Sequence, residues 1–600
     1  MKRKCSAKEA GLTETLGDVV GTPRRRKGGV KNDKVKAVQE WFRRHVTYEG
    51  ESYTIDAEQA AAVADESFNT IVVARAGSGK TRTIVAKIIY LVAKCMVKPS
   101  EILIFVFNAN AAAEINERLS KMQVDGDTVM DGARPASTFH AFSRHIIYNI
   151  YGGKDKCGKI LAGEKEDFVR AILRGMWRQE DWREIIYKFE KDIDKLAGMM
   201  TQFINRAQQK YLGGGETLRE NVERKLAEEI DERERMFLML GEECYKRYHW
   251  YLLNAGPRSK LMRGKYAEYG TDFNLLVAWA GKVIAEVGLQ IKELLQSKQY
   301  ILIDEYQDFS QLFLSVVMAV REVASDARLF VVGDDWQAIN RFAGSDVEYF
   351  KEFHKYFAEG VRRYEITTNY RCDAEIVERA REFMKRAMGE EGNFKAKSRR
   401  AGKVVLVEPR ETELTYSTVG YDKRVKRGDK MLADAVQRML GRVPKEKTVR
   451  YVKTIVELMR ANRRASEILV LHRNNEMNME SVELVALRKC VGECVVGLGV
   501  MTLAEYEERV KYMTMHKSKG LEAEVVIILE ADVGVIPKTH PDTMLYSVFG
   551  ENEQAALDDQ KRLFYVAMTR AKKRLYIIHN AADGDGFVKY LGRMVEKWEK

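Results

Sequence analysis

The stretch ARAGSGKT, residues 74–81, follows an apolar run and opens a pattern that is helical from Lys80 onward. Small residues at its centre let backbone N–H groups approach phosphate oxygens, and the start of the helix adds a favourable dipole. The stretch therefore predicts a phosphate-binding loop in which Lys80 reaches the outer phosphates and Thr81 ligates magnesium. Ala74 stands where the usual pattern has glycine, and a glycine-rich turn without a ligand is the alternative. The predicted loop contacts are Ala76, Gly77, Ser78, Gly79, Lys80 and Thr81.

An acidic pair ends a second buried strand. The apolar run 300–303 is followed by Asp304 and Glu305 in YILIDEYQD, residues 300–308. Beside a phosphate loop, the first carboxylate is typical of a magnesium-shell ligand. The second is typical of a base that orients and deprotonates the attacking water. A solvated acidic turn is the alternative, and the loop at Lys80 disfavours it.

Three further motifs carry side chains suited to a transferring phosphoryl group. Gln337 ends VVGDDWQ and is a candidate sensor of the γ-phosphate or its water. Arg371 in NYR and Arg570 in TRA each offer a guanidinium, which stabilises negative charge on such a group. Taken alone, each arginine is more often part of a surface ion pair.

Short apolar runs alternate with helical patterns along the chain. The runs are rich in Val, Ile and Leu and lack strict alternation, which is typical of strands buried on both faces of a parallel sheet. With helices between them, the predicted class is α/β, in two halves. The candidate strands are 70–74, 102–107, 300–304, 329–333, 364–368, 404–407, 468–472, 525–529 and 575–579.

Residues from about Ser143 to Tyr269 break this alternation, because no run there is a convincing strand. Apolar side chains from Leu226 to Leu252 recur at helical spacings, and the sequence NAGP follows them at 254–257. The pattern predicts one long amphipathic helix within a helical subdomain that is inserted into the first sheet domain.

The net charge of +12, from 100 basic and 88 acidic side chains, is unevenly distributed. Residues 1–36 carry eleven basic and four acidic side chains, so +7 lies in this tail and +5 in the rest of the chain. This excludes a uniformly basic coat, as in a DNA-packaging protein, and any nucleic-acid contact in the body must use local patches. The tail is predicted to be disordered. It is interpreted as a phosphate-binding arm, as a nuclear signal at 23–27, or as a leader without a role.

Further features bear on location. No apolar run reaches about 18 residues, so no membrane span is expected. The start, MKRKCSAKEAGLTE, lacks the apolar stretch of a secretory signal. The seven cysteines are scattered, and Cys490 and Cys494 are the only close pair, so reduced thiols and no zinc site are expected. An intracellular protein is predicted.

The order of the motifs, from Asp56 to Arg574, resembles that of superfamily 1 helicases of the UvrD/Rep type. Within that family, GDDWQAINRFAGSD at 333–346 and the short second half are similar to the helicase IV branch. The resemblance implies two RecA-like motor domains that bind ATP and Mg²⁺ in the cleft between them. It also implies an ATP-dependent 3′→5′ DNA helicase or single-stranded DNA translocase of repair, replication or recombination. Its partners would be single-stranded DNA and tailed or forked duplex DNA.

Two rival interpretations come from other classes. One is a translocase that displaces proteins, such as a stalled polymerase, and unwinds poorly. The other is an inactive, nucleotide-gated DNA-binding protein, which the presence of Lys80, Asp304, Glu305, Arg371 and Arg570 disfavours.

The resemblance assigns further roles in nucleotide binding. Gln59 matches a glutamine that reads the adenine edge, and Arg82 and Tyr370 match a pair that sandwiches the base. Glu522, in HKSKGLE, matches a ribose contact. The expected catalytic set is Lys80, Asp304, Glu305, Gln337, Arg371 and Arg570, with Thr81 and Asp304 on the metal.

The resemblance also implies a single-strand path, lined by aromatic side chains that stack bases without reading sequence. Without the resemblance, Phe107 and Phe142 would be interpreted as ordinary core residues. The implied lining residues are Phe107, Thr138, Phe139, His140, Ala141, Phe142, Phe342 and His516.

Some positions depart from the family pattern. Asn110 replaces a common lysine, Asn340 replaces a usual tyrosine, and Gln560 stands where a glutamate precedes the last motif. The interval between Arg371 and His516 is too short for the large insertion of UvrD and Rep, so a monomer is expected.

The sequence patterns and the resemblance together give the expected domain bounds and location. The location is the cytoplasm or nucleoid, or the nucleus in a eukaryotic host. The bounds are a basic tail at 1–36, a first motor domain at 37–142 and 270–345, an inserted helical subdomain at 143–269, and a second motor domain with a short insertion at 346–600.

Overall fold

The computed structural model describes most of the chain from residue 30 onward. The predicted disorder of the tail falls largely on residues 1–29, which lie outside the described residues. A helix already starts at Asn32, so the tail as predicted overlaps the first element. The described residues are 30–130, 132–151, 159–161, 163–212, 217–254, 269–286, 289–409, 416–417, 420–421, 427–441, 446–477, 482–538, 541–592 and 596–598.

A six-stranded parallel sheet organises the first half of the chain. The strand before the phosphate loop, Asn69–Ala74, is fully buried. Arg328–Gly333 pairs with it on one side and with Tyr300–Ile303 on the other. The loop at 74–81, the acidic pair at 304–305 and the Gln337 motif therefore leave the same carboxyl edge of three adjacent strands. In order across the sheet the strands are Val361–Ile366, Asn69–Ala74, Arg328–Gly333, Tyr300–Ile303, Ile102–Val106 and Ala136–Thr138.

A second six-stranded parallel sheet organises the second half. Its central strands, such as Ile468–His472, are buried on both faces, with apolar clusters on either side. This confirms the predicted α/β class with two parallel sheets. Across the sheet the order is Val510–Thr514, Ile468–His472, Ala523–Ile528, Ala571–Ile578, Lys403–Val407 and Glu596–Lys597.

All nine predicted strands are present, with ends shifted by a few residues, but one belongs to the other sheet. Val361–Ile366 pairs in parallel with Asn69–Ala74, so the first sheet extends past the predicted domain boundary at 345. The prediction was wrong here because a strand's composition does not reveal its pairing partner. Ala136–Thr138, Val510–Thr514 and Glu596–Lys597 were missed.

The helical subdomain differs from its prediction in two respects. The expected long helix is two helices, because Leu218–Leu226 ends at the first apolar position and Glu232–Asn254 begins after a break. A short parallel pair, Lys159–Leu161 with Tyr269–Asp272, closes the base of the subdomain where no strand was expected. Its core contains Phe168, Phe203, Phe237 and Tyr248, all fully buried.

Helices cover both sheets. Among the short strands, those at 46–48, 51–52, 122–124 and 127–128 form one four-stranded antiparallel sheet, and the others below form two-stranded pairs. No helix among the described residues is long and apolar enough to cross a membrane. The small strands are Val46–Tyr48, Glu51–Ser52, Met122–Val124, Asp127–Thr128, Thr368–Asn369, Lys395–Ala396, Tyr416–Ser417, Gly420–Tyr421, Glu476–Met477 and Val482–Glu483. The α-helices are Asn32–His45, Ala57–Val63, Lys80–Ile89, Ala109–Ser120, Phe139–Tyr151, Lys165–Met176, Glu180–Phe189, Ile193–Tyr211, Leu218–Leu226, Glu232–Asn254, Phe273–Glu286, Leu289–Leu295, Gln311–Val323, Glu348–Lys351, Phe353–Tyr356, Ala374–Met388, Arg427–Leu440, Glu446–Ala461, Leu484–Gly497, Leu503–Arg509 and Glu553–Met568.

Candidate nucleotide and DNA site

The loop at 74–81 joins a buried strand to the N-terminus of helix Lys80–Ile89, as predicted. Gly77 and Gly79 both have left-handed backbone angles, with φ of 74° and 84°. A Cβ on Gly79 would lie 2.9 Å from the Gln59 side-chain nitrogen. The glycines are thus required by conformation and by space, and they leave the loop N–H groups at a helix start where anions bind.

The NYR motif lies directly on this loop. The Asn369 side-chain amide donates to the Ala76 carbonyl at 2.6 Å, and the Tyr370 N–H donates to the Gly77 carbonyl at 2.8 Å. The Asn369 side-chain oxygen, Oδ1, also accepts a hydrogen bond from the Arg371 backbone N–H at 2.9 Å. Asn369 therefore positions Tyr370 and Arg371 against the phosphate loop. Sequence reasoning gave Asn369 no role, although its place in the motif was a usable signal.

Asp304 and Glu305 follow strand Tyr300–Ile303. One strand, Arg328–Gly333, separates it in the sheet from the strand that leads into the phosphate loop. The Lys80 ammonium lies 3.7 Å from a Glu305 carboxylate oxygen. Burial and the adjacent Glu305 charge raise the pKa of the Asp304 carboxyl to about 7. Burial alone would raise the pKa of Glu305, but Lys80 and Lys519 outweigh burial and lower it to about 2. The Glu305 backbone has a φ of 48°, an uncommon angle for a non-glycine residue and one that recurs at functional sites.

A buried polar network joins the acidic pair to the Gln337 motif. Gln307 donates to a Glu305 carboxylate oxygen and accepts from the Asp334 N–H at 2.9 Å. Gln337 donates to Asp334 at 2.6 Å, and Arg75 donates to the other Asp334 oxygen at 2.8 Å. Gln337 is therefore connected to Glu305 by hydrogen bonds through Asp334 and Gln307. Sequence reasoning missed Gln307, Asp334 and Arg75, because nothing local marks them as buried.

Arg371 and Arg570 face the loop from the second half of the chain. The Arg371 guanidinium donates to Glu522 at 2.6 Å and to the Thr569 carbonyl at 3.3 Å. Arg570 is only 1% exposed and donates to the Val566 and Leu521 carbonyls at 2.9 and 3.1 Å. Burial and the neighbouring Arg371 lower the pKa of Arg570. Two adjacent cations of which one is fully buried form a site that favours an anion.

Glu522, the predicted ribose contact, already has two cationic partners. Besides Arg371 it contacts the Lys572 ammonium at 2.8 Å. Although burial raises the pKa of Glu522, Lys572 and Arg371 outweigh burial and lower it. The Glu522 carboxylate therefore holds Arg371 in the structure described. A ribose hydroxyl would have to bind this carboxylate together with Arg371.

The three predicted adenine contacts surround the entrance to the loop. The Gln59 amide donates to the Ser78 carbonyl at 3.3 Å and accepts from the Asp56 N–H at 3.2 Å. The Arg82 guanidinium lies 4.2 Å from the centre of the Tyr53 ring, and the Tyr370 hydroxyl donates to Asp56 at 2.5 Å. Tyr370 is 46% exposed, so one ring face is open. Sequence reasoning gave Tyr53 no role, and its ring packs against the Arg82 guanidinium.

Lys519 joins the two halves across the cleft. Its ammonium donates to the Asp308 carboxylate at 2.6 Å and to the Gln337 carbonyl at 3.1 Å. Lys519 belongs to HKSKGLE of the second half, whereas Asp308 and Gln337 follow strands of the first sheet. The cleft is therefore bridged next to the proposed hydrolysis residues, and no role was predicted for Lys519.

The donor set at the loop fits a magnesium nucleotide. The Ser78 hydroxyl is buried and has no hydrogen-bond partner among the described residues. The raised pKa of Asp304 marks a buried carboxylate that lacks a full countercharge, which a bound cation would supply. Thr81, in the first turn of helix Lys80–Ile89, offers a hydroxyl at the same strand edge.

A cavity of about 540 Å³ is lined by Ile339, Arg341 and Phe342, which directly follow the Gln337 motif in the chain. Phe342 is 53% exposed there, and its ring centre is 5.6 Å from that of His516, edge to face. Burial, Arg473 and Lys519 lower the pKa of His516 to about 4, so its ring is neutral near pH 7. The Arg473 Nε is buried with no hydrogen-bond partner among the described residues. Sequence reasoning missed Arg473, although it directly follows a predicted strand.

The remaining predicted DNA contacts are less accessible. Phe139 and Phe142 are buried in the core of the first domain, where Phe139 stacks on Phe105 at 4.3 Å. They cannot stack on bases, and that part of the expected lining was wrong. Phe107 and His140 are half-buried against Phe313, at 5.5 and 6.0 Å between ring centres.

Thr138 and the three departures have defined surroundings. The Thr138 hydroxyl accepts from the Ala141 N–H at 3.1 Å at a helix start. Asn110 is exposed, and Asn340 hydrogen-bonds Asp308. The Gln560 amide accepts from the Lys538 N–H at 2.6 Å and donates to the Lys538 carbonyl at 3.0 Å. A glutamate carboxylate could not make the second bond, so glutamine is suited to this site.

Comparison with known protein families gives two matches. The family described as the UvrD/REP helicase N-terminal domain matches residues 55–358, which is more than half of the chain. The family described as the UvrD-like helicase C-terminal domain matches residues 495–582. The two matched regions contain the phosphate loop and the Arg570 motif respectively.

Several curated proteins are similar to this chain, over 40% to 79% of their own length. DNA helicase IV of Escherichia coli is 27% identical over 90% of this chain and 70% of its own. Putative ATP-dependent DNA helicase YjcD of Bacillus subtilis is 22% identical over 88% of this chain and 79% of its own. ATP-dependent DNA helicase PcrA of Staphylococcus aureus is 26% identical over 55% of this chain and 40% of its own.

Proposed function

The chain belongs to the UvrD/Rep family of DNA helicases, and from that premise we propose that it is an ATP-driven motor that moves 3′→5′ along single-stranded DNA and separates duplex ahead of it. One observation carries the proposal. The phosphate loop and the acidic pair of the first sheet face two arginines of the second half across a cleft that Lys519 bridges. Because Lys519 and the NYR motif hold the two sets together at this cleft, a phosphoryl group bound at the loop would lie between them.

Each proposed nucleotide contact has a role consistent with its surroundings. Lys80, Thr81 and the loop N–H groups hold the phosphates, and Thr81 with Asp304 holds the magnesium. Bound magnesium supplies charge neutralisation on the phosphate oxygens. Gln59, Arg82 and Tyr370 would bind the adenine, and Glu522 would contact the ribose while it also holds Arg371.

The proposed chemistry belongs to this chain's own acid–base and cationic groups. Glu305, kept ionised by Lys80, orients the attacking water and accepts its proton. Arg371 and Arg570 stabilise charge on the transferring group, and Gln337 reports its presence to Asp334 and Gln307. This supports two motor domains on either side of the cleft, with the first extending through Ile366.

Coupling to DNA is proposed to run through a short segment. Phe342 follows Gln337 by five residues, so the nucleotide sensor and the exposed ring at the cavity share one stretch of backbone. The path runs past Phe342 and His516, with Phe107, Thr138 and His140 nearer the first sheet. A monomer acting inside the cell on tailed or forked duplexes is the proposed working form.

Replacing Phe342→Ala is expected to slow translocation several-fold while leaving ATPase at saturating DNA near normal. A base-stacking aromatic contributes about 1–3 kcal/mol per base, so its loss allows slippage during each cycle. Stopped-flow translocation on end-labelled single strands measures the effect. Tyr187→Ala, an equally exposed aromatic on the helical subdomain, is the control. An unchanged stepping rate would remove Phe342 from the path.

Unwinding of duplexes that carry a 3′ or a 5′ tail tests the proposed direction. With equal ATP and single-turnover conditions, only the 3′-tailed duplex is expected to separate. Unwinding of the 5′-tailed duplex alone would reverse the assigned polarity. Vigorous translocation without strand separation, together with displacement of a protein block, would favour the protein-displacing translocase.

A further inference from the structure

Residues 541–551, which we call the latch, leave the second sheet and enter the helical subdomain. The latch lies between strand Ala523–Ile528 and helix Glu553–Met568, both of which pack in the second half. Its side chains Leu545, Tyr546 and Val548 are buried within the apolar core of the helical subdomain. A segment of the second half thus completes the core of a subdomain inserted into the first.

Aromatic contacts hold the latch in that core. The Tyr546 ring centre is 5.1 Å from that of Phe237, and the Phe549 ring centre is 5.0 Å from that of Phe203. Both pairs meet edge to face, a favourable arrangement for aromatic rings. The latch is therefore packed into the subdomain and does more than touch its surface.

Polar contacts fix the latch along its length. Glu551 contacts Arg206 at 2.5 Å, and both side chains are largely buried. The Arg206 guanidinium also lies 4.0 Å from the Tyr546 ring centre. Further along, the Ser547 hydroxyl donates to Glu234, and the Tyr211 hydroxyl donates to the Val548 carbonyl at 3.0 Å.

The latch forms one wall of the cavity that contains Phe342 and His516. Residues of helix Ile193–Tyr211, of helix Glu553–Met568 and of the segment 339–342 also line this cavity. The two halves also meet at Arg341 and Asp559, 3.2 Å apart. Contacts therefore run unbroken from the first sheet through the helical subdomain and the latch to the second sheet, and back across the cleft.

The two ends of the latch, where the chain enters at Lys538 and leaves at Gln560, form its base, and residues 545–551 form its tip. The base is held by contacts that do not involve the tip. The paired hydrogen bonds between Gln560 and Lys538 tie the segment that leads into the latch to helix Glu553–Met568. Release of the tip from the helical subdomain would therefore leave the second sheet intact. The contacts of the tip, residues 545–551, with the helical subdomain are noncovalent, as are those of Lys519 and Arg341 across the cleft.

We propose that the latch closes a ring around single-stranded DNA, so that a strand without a free end enters only when the tip leaves the helical subdomain. The inference rests on the proposed single-strand path past Phe342 and His516. A closed ring admits a linear strand by threading, whereas a circular strand must wait for the open state. Binding of circles is then reduced by the fraction of molecules that are open.

A covalent lock across the latch tests this proposal. Arg206→Cys and Glu551→Cys, introduced together, place two thiols where the buried ion pair was, and a short bismaleimide joins them. The background carries serine at Cys5, Cys95 and Cys157, since Cys95 is exposed. Each single variant, treated with the same reagent, is the control. Circular and linear single strands of equal length and sequence are compared by binding titration and by DNA-stimulated ATPase.

The locked protein is expected to bind the linear strand and to lose affinity for the circle by more than about tenfold, each compared with the same double variant without the reagent. Because Arg206 and Glu551 line the cavity, this comparison removes the direct effect of their replacement. Equal binding of circle and linear strand by the locked protein would overturn the proposal. If the locked protein bound neither the circular nor the linear strand, the proposal would also be overturned, because the free end of a linear strand should still thread into a closed ring. Failure of the unlocked controls to bind any single strand would instead reject the proposed function.

A loosened latch gives an independent measurement. Ser547→Ala with Tyr211→Phe removes two latch hydrogen bonds at residues that do not line the cavity. Association with circular DNA is expected to become several-fold faster, and association with linear DNA to stay unchanged. An unchanged association rate with circles would show that the tip is not the gate.

Discussion

Replacing Glu305→Gln is expected to lower DNA-stimulated ATP turnover by about 10²–10⁴-fold while ATP binding is kept. Glutamine preserves the side-chain shape and the hydrogen bond with Gln307, but it cannot accept the proton of the attacking water. Lys80 lies 3.7 Å away and keeps the native carboxylate ionised, so the loss is that of a working base. Steady-state phosphate release and equilibrium binding of a fluorescent ATP analogue measure the two quantities.

Glu114→Gln is the matched control for this change. Glu114 makes an exposed ion pair with Arg118 on helix Ala109–Ser120, and its charge is felt at Asp304. The control therefore separates a general loss of negative charge near the site from loss of the base. Turnover within a few-fold of the parent in Glu305→Gln would refute the assignment.

The fold class and the strand-end motifs could be predicted because their signals are local. Asn69–Ala74 and Tyr300–Ile303 are continuous apolar strands, and each is followed directly by the residues that matter. Parallel strands of one sheet direct their carboxyl ends to one edge, so both motifs are expected at that edge, and the observed strand order brings Lys80 and Glu305 together.

Sheet membership and burial of single side chains could not be predicted in the same way. Val361–Ile366 has a sequence suited to either sheet, and only its register with Asn69–Ala74 decides. Phe139 follows a strand whose position in the sheet was not predicted, and the packing of Phe105 and Phe313 on both sides buries it. Both outcomes depend on contacts between residues far apart in the chain.

The latch shows the same limit on a larger scale. Leu545, Tyr546 and Val548 are too few and too irregularly spaced to predict an element. Their burial depends on Phe203 and Phe237, which precede them by more than 300 residues. Such a contact emerges only from the assembled fold.

Replacing Arg371→Lys is expected to lower kcat for ATP by about 10³-fold or more, with little change in nucleotide affinity. Lysine keeps the positive charge but loses the planar fork that donates at once to Glu522 and to the Thr569 carbonyl. Arg371 is held beside the phosphate loop through Asn369, so its guanidinium is close to where a bound phosphoryl group would lie. Single-turnover hydrolysis with enzyme in excess, beside nucleotide binding, measures the two effects.

Lys572→Ala is the matched control, because Lys572 contacts the same Glu522 carboxylate at 2.8 Å from the other side. It removes one cation from Glu522 and leaves the Arg371 guanidinium in place, so hydrolysis should stay within a few-fold of the parent. If both variants lose turnover equally, the ion pair with Glu522 matters and the direct action of Arg371 on the phosphoryl group is rejected. If Arg371→Lys alone is inactive and binds ATP normally, Arg371 supplies a contact that is made in the transition state of hydrolysis.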